Sequence, residues 1–301
     1  MAPKSSIVPA SDFNLRATLE SGQVFHWNPD GPGYCGLIGE APVRVEQCGS
    51  ALRVSRGAEA LVTSYFALDH PLPEIYATFP HDPAMEAALG YCLGIRIIRQ
   101  PLWECLATFI TSAMKQVAHI RQMSHALRQR FGNPVAFGLN SYPGPERIAE
   151  ASESELRACG LGFRARNLLG AARIIAEGSV DLEGIRSLPD DAAMAELCRL
   201  PGVGPKVANC VLLFAYERVR AFPIDVWIER VLRQTYFQRK RNVTAKRLRE
   251  FTQSYFGPYG GYAQQYLFHH ARNQTRRPDP GNLFGPDKPA IPSSAISGFT
   301  P

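Results

Sequence analysis

The segment Leu200-Pro-Gly-Val-Gly-Pro-Lys-Val-Ala208 constrains this chain more than any other. Met194, Leu197 and Leu200 precede it at helical spacing, and Val207, Val211, Leu212 and Phe214 follow it, so it joins two apolar helices. Two glycines two residues apart permit positive φ and let the backbone come close to a ligand. The turn opens a helix, so free N–H groups and the positive end of the helix dipole face outward, which makes a site for an anion. A lone Gly-x-Gly also suits an ordinary helix–helix turn. With apolar flanks on both sides the segment reads as a helix-hairpin-helix, which grips phosphate and does not read sequence. Gly202, Val203, Gly204 and Val207 are the expected phosphate contacts.

Lys206 falls in the first turn of the second hairpin helix, where the dipole opposes a cation. Such a local conflict points to function. The dipole and partial burial both lower an amine's pKa, as a nucleophilic lysine requires; the alternative is a solvated lysine touching a phosphate. Nineteen residues on, in Pro223-Ile-Asp-Val226, Asp225 precedes the apolar helix of Val226, Ile228, Val231 and Leu232 and is placed to cap it. A capping carboxylate is expected to stay ionised, with a low pKa that makes it a modest base. Facing a sugar, it can stabilise an oxocarbenium-like transition state. An amine and a carboxylate beside a phosphate loop suit attack on a deoxyribose.

Composition narrows the class. The 301 residues carry a net charge of +6, which favours a polyanionic partner without proving one. Ten Lys/Arg against three acids lie between Arg218 and Glu250, more than the excess of the whole chain, and they suggest a DNA-backbone footprint beside the hairpin. The run Gln238-Arg-Lys-Arg-Asn242 reads as a solvated loop. Seven cysteines are scattered, with no Cys-x-x-Cys pair, so neither structural zinc nor an iron–sulfur cluster is signalled. No cofactor is expected to be required, with a structural monovalent ion at the hairpin the one addition considered. The longest apolar run, Cys210 to Tyr216, is far short of the ~20 residues that span a bilayer, and the N-terminus lacks a signal-peptide run. The expectation is a soluble, intracellular monomer with no membrane partner, in the cytoplasm or nucleoid of a bacterium or the nucleus of a eukaryote.

Short strands are expected at Val24–Trp27, Tyr34–Ile38, Val43–Gln47 and Ala51–Ser55, separated by Gly/Pro turns. Helices are expected at Ala58–Leu68 and Asp82–Leu89. From Pro101 onward the pattern is helical: Trp103, Leu106, Ala107 and Ile110 share a face, as do Ile120, Met123, Leu127 and Phe131. Further helices are expected at 153–159, 164–177, 190–200, 206–217, 225–237, 244–255 and 261–273, with Asp190, Asp225 and Thr244 as N-caps. The division predicted is an α+β domain over 1–100, a helical domain over 101–274 with the hairpin at about 190–217, and a disordered tail over 275–301, which holds six prolines.

Taken with Ser21-Gly-Gln-Val-Phe-His-Trp27, Ile97-Ile-Arg-Gln-Pro101, Leu161-Gly-Phe-Arg-Ala-Arg166 and Gly257-Pro-Tyr-Gly-Gly-Tyr-Ala-Gln264, the hairpin and aspartate give a chain that resembles the helix-hairpin-helix base-excision glycosylases. Within them it resembles the eukaryote-like 8-oxoguanine DNA glycosylases, over about Leu15 to Asn273. The resemblance implies a mainly α glycosylase fold with an N-terminal α+β domain whose antiparallel sheet is like that of the TATA-binding protein. It implies double-stranded DNA with a damaged base as partner, flipping of that base into a pocket, attack of Lys206 on C1′, a Schiff base and β-elimination, with Asp225 as the partner carboxylate. It assigns Gly22 to the N7–H of the oxidised guanine, Cys210 and Phe268 to sandwiching the base, and Gln264 to its Watson–Crick edge. Arg164 would contact the opposite base beside Phe163 as a wedge. Read alone, Gly22 suits a turn, Cys210 and Phe268 suit a core, and Gln264 suits a solvated helix face.

Three departures accompany the resemblance. Met114 replaces the family's void-filling asparagine, His119 stands where a second opposite-base arginine is common, and Trp227 where a histidine often follows the aspartate. An apolar wedge can still unstack bases, but a strict preference for cytosine opposite the lesion is not implied. Two alternatives stand beside this reading: a superfamily glycosylase for another damaged base, and a hairpin protein that binds DNA without chemistry.

Overall fold

The computed structural model describes residues 5–238 and 242–274. The expected tail and the centre of the 238–242 run lie outside the described residues. Five strands form one antiparallel sheet in the order β1-β5-β4-β3-β2: β1 (Ser5–Pro9), β2 (Asn28–Asp30), β3 (Gly33–Ile38), β4 (Ala41–Cys48) and β5 (Ala51–Ser55). Val45 stands opposite Tyr34 on one side and Val54 on the other. Val43, Val45, Leu52 and Val54 are all buried, so alternate residues of the meander form its inner face. β1, a strand the sequence did not suggest, covers the edge of β5.

Val24–Trp27, expected as a strand, is not one. Side chains hold it in place of a ladder. The Gln23 amide donates to the carbonyls of Thr18 and Arg96, its oxygen accepts from the Ile98 N–H at 2.8 Å, and Gln100 donates back to the Gln23 carbonyl at 2.8 Å. The two glutamines thus interlock Ser21–Trp27 with Ile97–Pro101.

Helices make up most of the rest. They are α1 (Leu15–Glu20), α2 (Glu59–Tyr65), α3 (Leu72–Ala77), α4 (Pro83–Cys92), α5 (Leu102–Ser112), α6 (Val117–Phe131), α7 (Pro145–Ala149), α8 (Glu153–Leu156) and α9 (Arg164–Ala176), followed by α10 (Asp190–Cys198), α11 (Pro205–Phe214), α12 (Val226–Tyr236), α13 (Ala245–Tyr255) and α14 (Gly260–Gln274). Asp225 and Thr244 cap as expected, accepting from the N–H groups of Ile228 and Arg247. Asp190 does not: Pro189 is the cap, without a side-chain bond, and Asp190 sits inside the first turn. The helix expected over 153–159 gives way after Leu156 to a π-helical turn, Arg157–Leu161, in which Gly160 has φ +82°. No helix of the described residues is long and apolar enough to cross a membrane.

The core has two parts. One lies under the sheet, from Val8 to Phe66 with Ile98. The other is helical and takes in Leu72, Ile75, Met85, Cys92 and Ile97 together with α5–α14. The division of the core therefore does not fall at residue 100: α3 and α4 pack with the helices. A period of 3.6 cannot reveal which of two cores a helix joins.

Candidate active site

The hairpin closes between α10 and α11. Gly202 has φ +80°, and a Cβ there would stand 2.9 Å from the side chain of Asn167, so the turn needs glycine on both counts. Gly204 is the N-cap of α11 and offers no side-chain bond; Pro205 follows at N1. The first-turn N–H groups of such a helix have no intrahelical partner. Val203 corrects the expected phosphate set: its N–H donates inward to the Leu200 carbonyl at 3.1 Å and its side chain is buried, because the turn closes on itself there. Gly202, Gly204 and the backbone of Val207 remain.

Lys206, half-buried at the second position of α11, lies with its Nζ 5.2 Å from the centroid of the Phe109 ring on α5. Phe109 stacks in turn on Phe214, with centroids 5.5 Å apart. Asp225 enters the same space from the start of α12. Burial raises its carboxyl above the ordinary 3.8, against the pull of the Ile228 cap bond and of Lys206. This corrects the expected low value: the cap bond is present, but desolvation outweighs it. Burial likewise raises the Cys210 thiol, while Lys206 pulls it down both as a charge and through a hydrogen bond. Amine, thiol and carboxylate therefore share one low-dielectric neighbourhood.

These groups line a cavity of ≈ 920 Å³ that also takes in Gly22, Gln264, Phe268 and Met114. Gly22 has φ +91°, and a Cβ there would stand 3.2 Å from the Phe268 ring and 2.6 Å from Arg272 Nη1. Its neighbours fix its carbonyl: Gln265 donates to the Ser21 carbonyl at 3.0 Å, and Gln23 is held on both ends. Gln264 is buried, and its Oε1 has no hydrogen-bond partner among the described residues. A buried acceptor without a partner is uncommon, and on a residue that lines a cavity it marks a candidate recognition group.

Met114, at the end of α5, lines the cavity and is 90% exposed with φ +56°; Phe163 and His119 are exposed but are not among the lining residues. Arg164, expected to reach a base, instead faces inward. It is buried, its Nε donates to the Ala113 carbonyl at 2.6 Å and its Nη1 to Leu161, with the guanidinium 4.3 Å from the centre of the Phe163 ring. It braces the turn that presents Met114. In the basic segment, Arg218 and Arg220 bond backbone carbonyls, Arg233 and Arg247 pair with Glu229 and Glu250, and Arg230 lies over Trp227, itself a lining residue of the cavity. The structural use of these cations narrows the expected DNA footprint.

Arg272 and Phe109 are among the lining residues to which the sequence reading assigned no role in the site. Arg272 shares a face of α14 with Gln264 and Phe268, at i, i+4 and i+8, and packs 5.4 Å from the Phe268 ring; that spacing could have flagged it. Phe109 carried no signal beyond its core periodicity. Among the described residues, no group of three or more His, Cys, Asp or Glu could hold a metal ion.

Comparison with known proteins bears on this arrangement. Residues 5–106 match the model of the 8-oxoguanine DNA glycosylase N-terminal domain, and residues 107–257 match that of the HhH-GPD superfamily of base excision DNA repair proteins. The chain is 28% identical to a probable N-glycosylase/DNA lyase of Methanothermobacter thermautotrophicus, over 88% of this chain and 95% of the relative. The structure of MBOgg1 in complex with a low affinity DNA ligand superposes with a TM-score of 0.86 at 32% identity, covering 90% of this chain and 96% of that one. The Clostridium acetobutylicum 8-oxoguanine glycosylase/lyase, solved with double-stranded DNA containing cytosine opposite 8-oxoG, gives 0.83 at 30% identity over 88% and 93%.

Proposed function

The chain belongs to the HhH-GPD superfamily of base excision DNA repair proteins, in the 8-oxoguanine DNA glycosylase branch, and from that premise we propose that it is a bifunctional glycosylase/lyase that excises oxidised guanine from duplex DNA. The observation that carries the reading is the convergence of Lys206 and Asp225 on one cavity with Gly22, Cys210, Gln264 and Phe268. A hairpin protein that only binds DNA needs no half-buried carboxylate beside a lysine, nor a recognition pocket behind them.

The chemistry follows from these groups. Gly202, Gly204 and the first turn of α11 hold a backbone phosphate, and Met114 and Phe163 fill the space vacated by the flipped nucleotide. The base stacks between Cys210 and Phe268. The Gly22 carbonyl accepts the N7–H that only the oxidised base carries, and Gln264 reads its edge. Asp225, its affinity for a proton raised by burial, takes the proton of Lys206 and leaves a neutral amine. The amine attacks C1′, the C1′–N9 bond breaks, and its electron pair leaves with the base, which takes up the proton held by Asp225. Opening of the sugar then gives a Schiff base, from which loss of a C2′ proton breaks the C3′–O bond. The lysine supplies the nucleophile, so no metal or redox cofactor is needed; a monovalent ion at the hairpin would serve structure alone. Every residue invoked comes from one copy of the chain, which suits a monomer. Met114, whose side chain offers a thioether and no N–H, is poorly suited to fix cytosine on the opposite strand.

Base release from duplexes carrying one 8-oxoguanine or one unmodified guanine tests the substrate. Release from the first and not the second is expected. Release of a different damaged base in preference to 8-oxoguanine would overturn the assignment.

A further inference from the structure

A second cavity, of ≈ 350 Å³, lies on the other side of Phe25, which lines both. Its wall carries Arg121, Gln122 and His125 from α6, Arg128 one turn deeper, and His26 from the segment after Gly22; among the described residues no Asp or Glu lines it. Arg128 is 5% exposed and anchored on Glu104 and on the Asn140 carbonyl, but its Nε has no hydrogen-bond partner. The Nε of Arg121 is also buried without one, and no carboxylate lies within ion-pair distance of Arg121 among the described residues. Two guanidiniums thus line one hollow; Glu104 balances that of Arg128 while Arg121 has no acidic partner among the described residues, which leaves the wall with a net positive charge.

We propose that this cavity binds a phosphate oxyanion, held by Arg121, Arg128 and the side chains of Gln122 and His125. His125 offers a further donor on the same face of α6 as Arg121, at i+4, and Gln122 lines the same hollow. The dimensions suit a phosphomonoester or one backbone phosphate. Two sources carry that chemistry. α6 begins three residues after Met114, and Arg121 stands about 6 Å along its axis at 1.5 Å per residue, so a strand lying over Met114 has phosphates within reach. A free phosphorylated small molecule is the other source. The strand as source rests on the glycosylase reading; the oxyanion site does not.

The test compares wild type with Arg121→Gln, a change at a partly exposed helix position, by thermal melting with and without inorganic phosphate at constant ionic strength, and by the salt dependence of duplex binding. The wild-type melting temperature should rise more with phosphate than that of the variant. If the variant's plot of log K against log salt is also shallower by about 0.9, one phosphate contact has been lost and the strand is the source. An unchanged slope with the phosphate response lost identifies a free phosphorylated ligand. An equal phosphate response in both proteins overturns the proposal whatever the slope. Excision activity enters none of these readouts, so failure here leaves the glycosylase assignment standing.

Discussion

The Nζ of Lys206 stands 5.2 Å from the centre of the Phe109 ring, and that ring is itself stacked on Phe214. The hairpin thus delivers the amine to a fixed aromatic floor supplied by another helix. A cation–π contact of this kind is worth about 0.5–2 kcal/mol, enough to hold one rotamer of a side chain that would otherwise sample many.

Replacing that floor should slow chemistry more than binding. Phe109→Leu is expected to lower the single-turnover rate about tenfold, equivalent to about 1.4 kcal/mol, and to change duplex affinity less than about twofold. Rapid-quench kinetics and a binding isotherm check this. An unchanged rate would mean that the ring only fills the core.

Asp225 separates stability from function. Asn caps a helix as well as Asp does, and Asp225→Asn removes the burial cost that raises this carboxyl. At neutral pH the variant should therefore melt no lower than wild type while losing about 100-fold or more in rate. The ionised form is the working one, so the wild-type rate should fall as pH drops through the raised pKa, at a pH above the ordinary 3.8. A wild-type acid limb that persists unchanged in the residual activity of the variant would assign that limb to another group.

The open oxygen of Gln264 points to a similar trade. Gln264→Leu removes a buried unsatisfied acceptor and should stabilise the free protein by about 1 kcal/mol, while excision of the oxidised base weakens. Calorimetry and base release should move in opposite directions. A variant that loses stability and keeps its selectivity would show that Gln264 is a core residue.

His26 predicts a pH dependence remote from the amine. Burial lowers its pKa from 6.5 to about 4, with Glu104 opposing and Arg128 reinforcing the shift. Between those values the unfolded chain binds the extra proton, so stability is full above pH 6.5 and falls as the pH drops toward 4, by on the order of 3 kcal/mol. Urea midpoints at pH 7 and pH 5 should differ more for wild type than for His26→Gln. An equal loss in both would place the acid sensitivity elsewhere.

How far the sequence was legible depended on the kind of signal. Helices with long apolar periods, such as α5, α6 and α11, were readable because burial of one face imposes the period. Asp225 and Thr244 were readable as caps because a short acceptor before an apolar helix has one local use. Asp190 failed that rule because Pro189, with φ already set, took the cap position. Val24–Trp27 looked like a strand because it is apolar, but Gln23 and Gln100 satisfy its backbone surroundings through side chains, a long-range arrangement that no local pattern encodes. Within the site, Gly22, Met114, Lys206, Cys210, Asp225, Gln264 and Phe268 line one cavity, whereas Arg164, Phe163 and His119 are not among its lining residues. The inward turn of Arg164 onto Ala113, the raised carboxyl of Asp225 and the part played by Arg272 came from packing between elements far apart in the chain.

The central claim is that Lys206 is an amine nucleophile directed at the sugar of an oxidised guanine. Incubation with a duplex carrying one 8-oxoguanine opposite cytosine, followed by borohydride, tests it most directly. A covalent protein–DNA band that disappears in Lys206→Gln is the predicted result. A band of equal intensity in the variant, or none from wild type on either this duplex or one with an abasic site, would contradict the account.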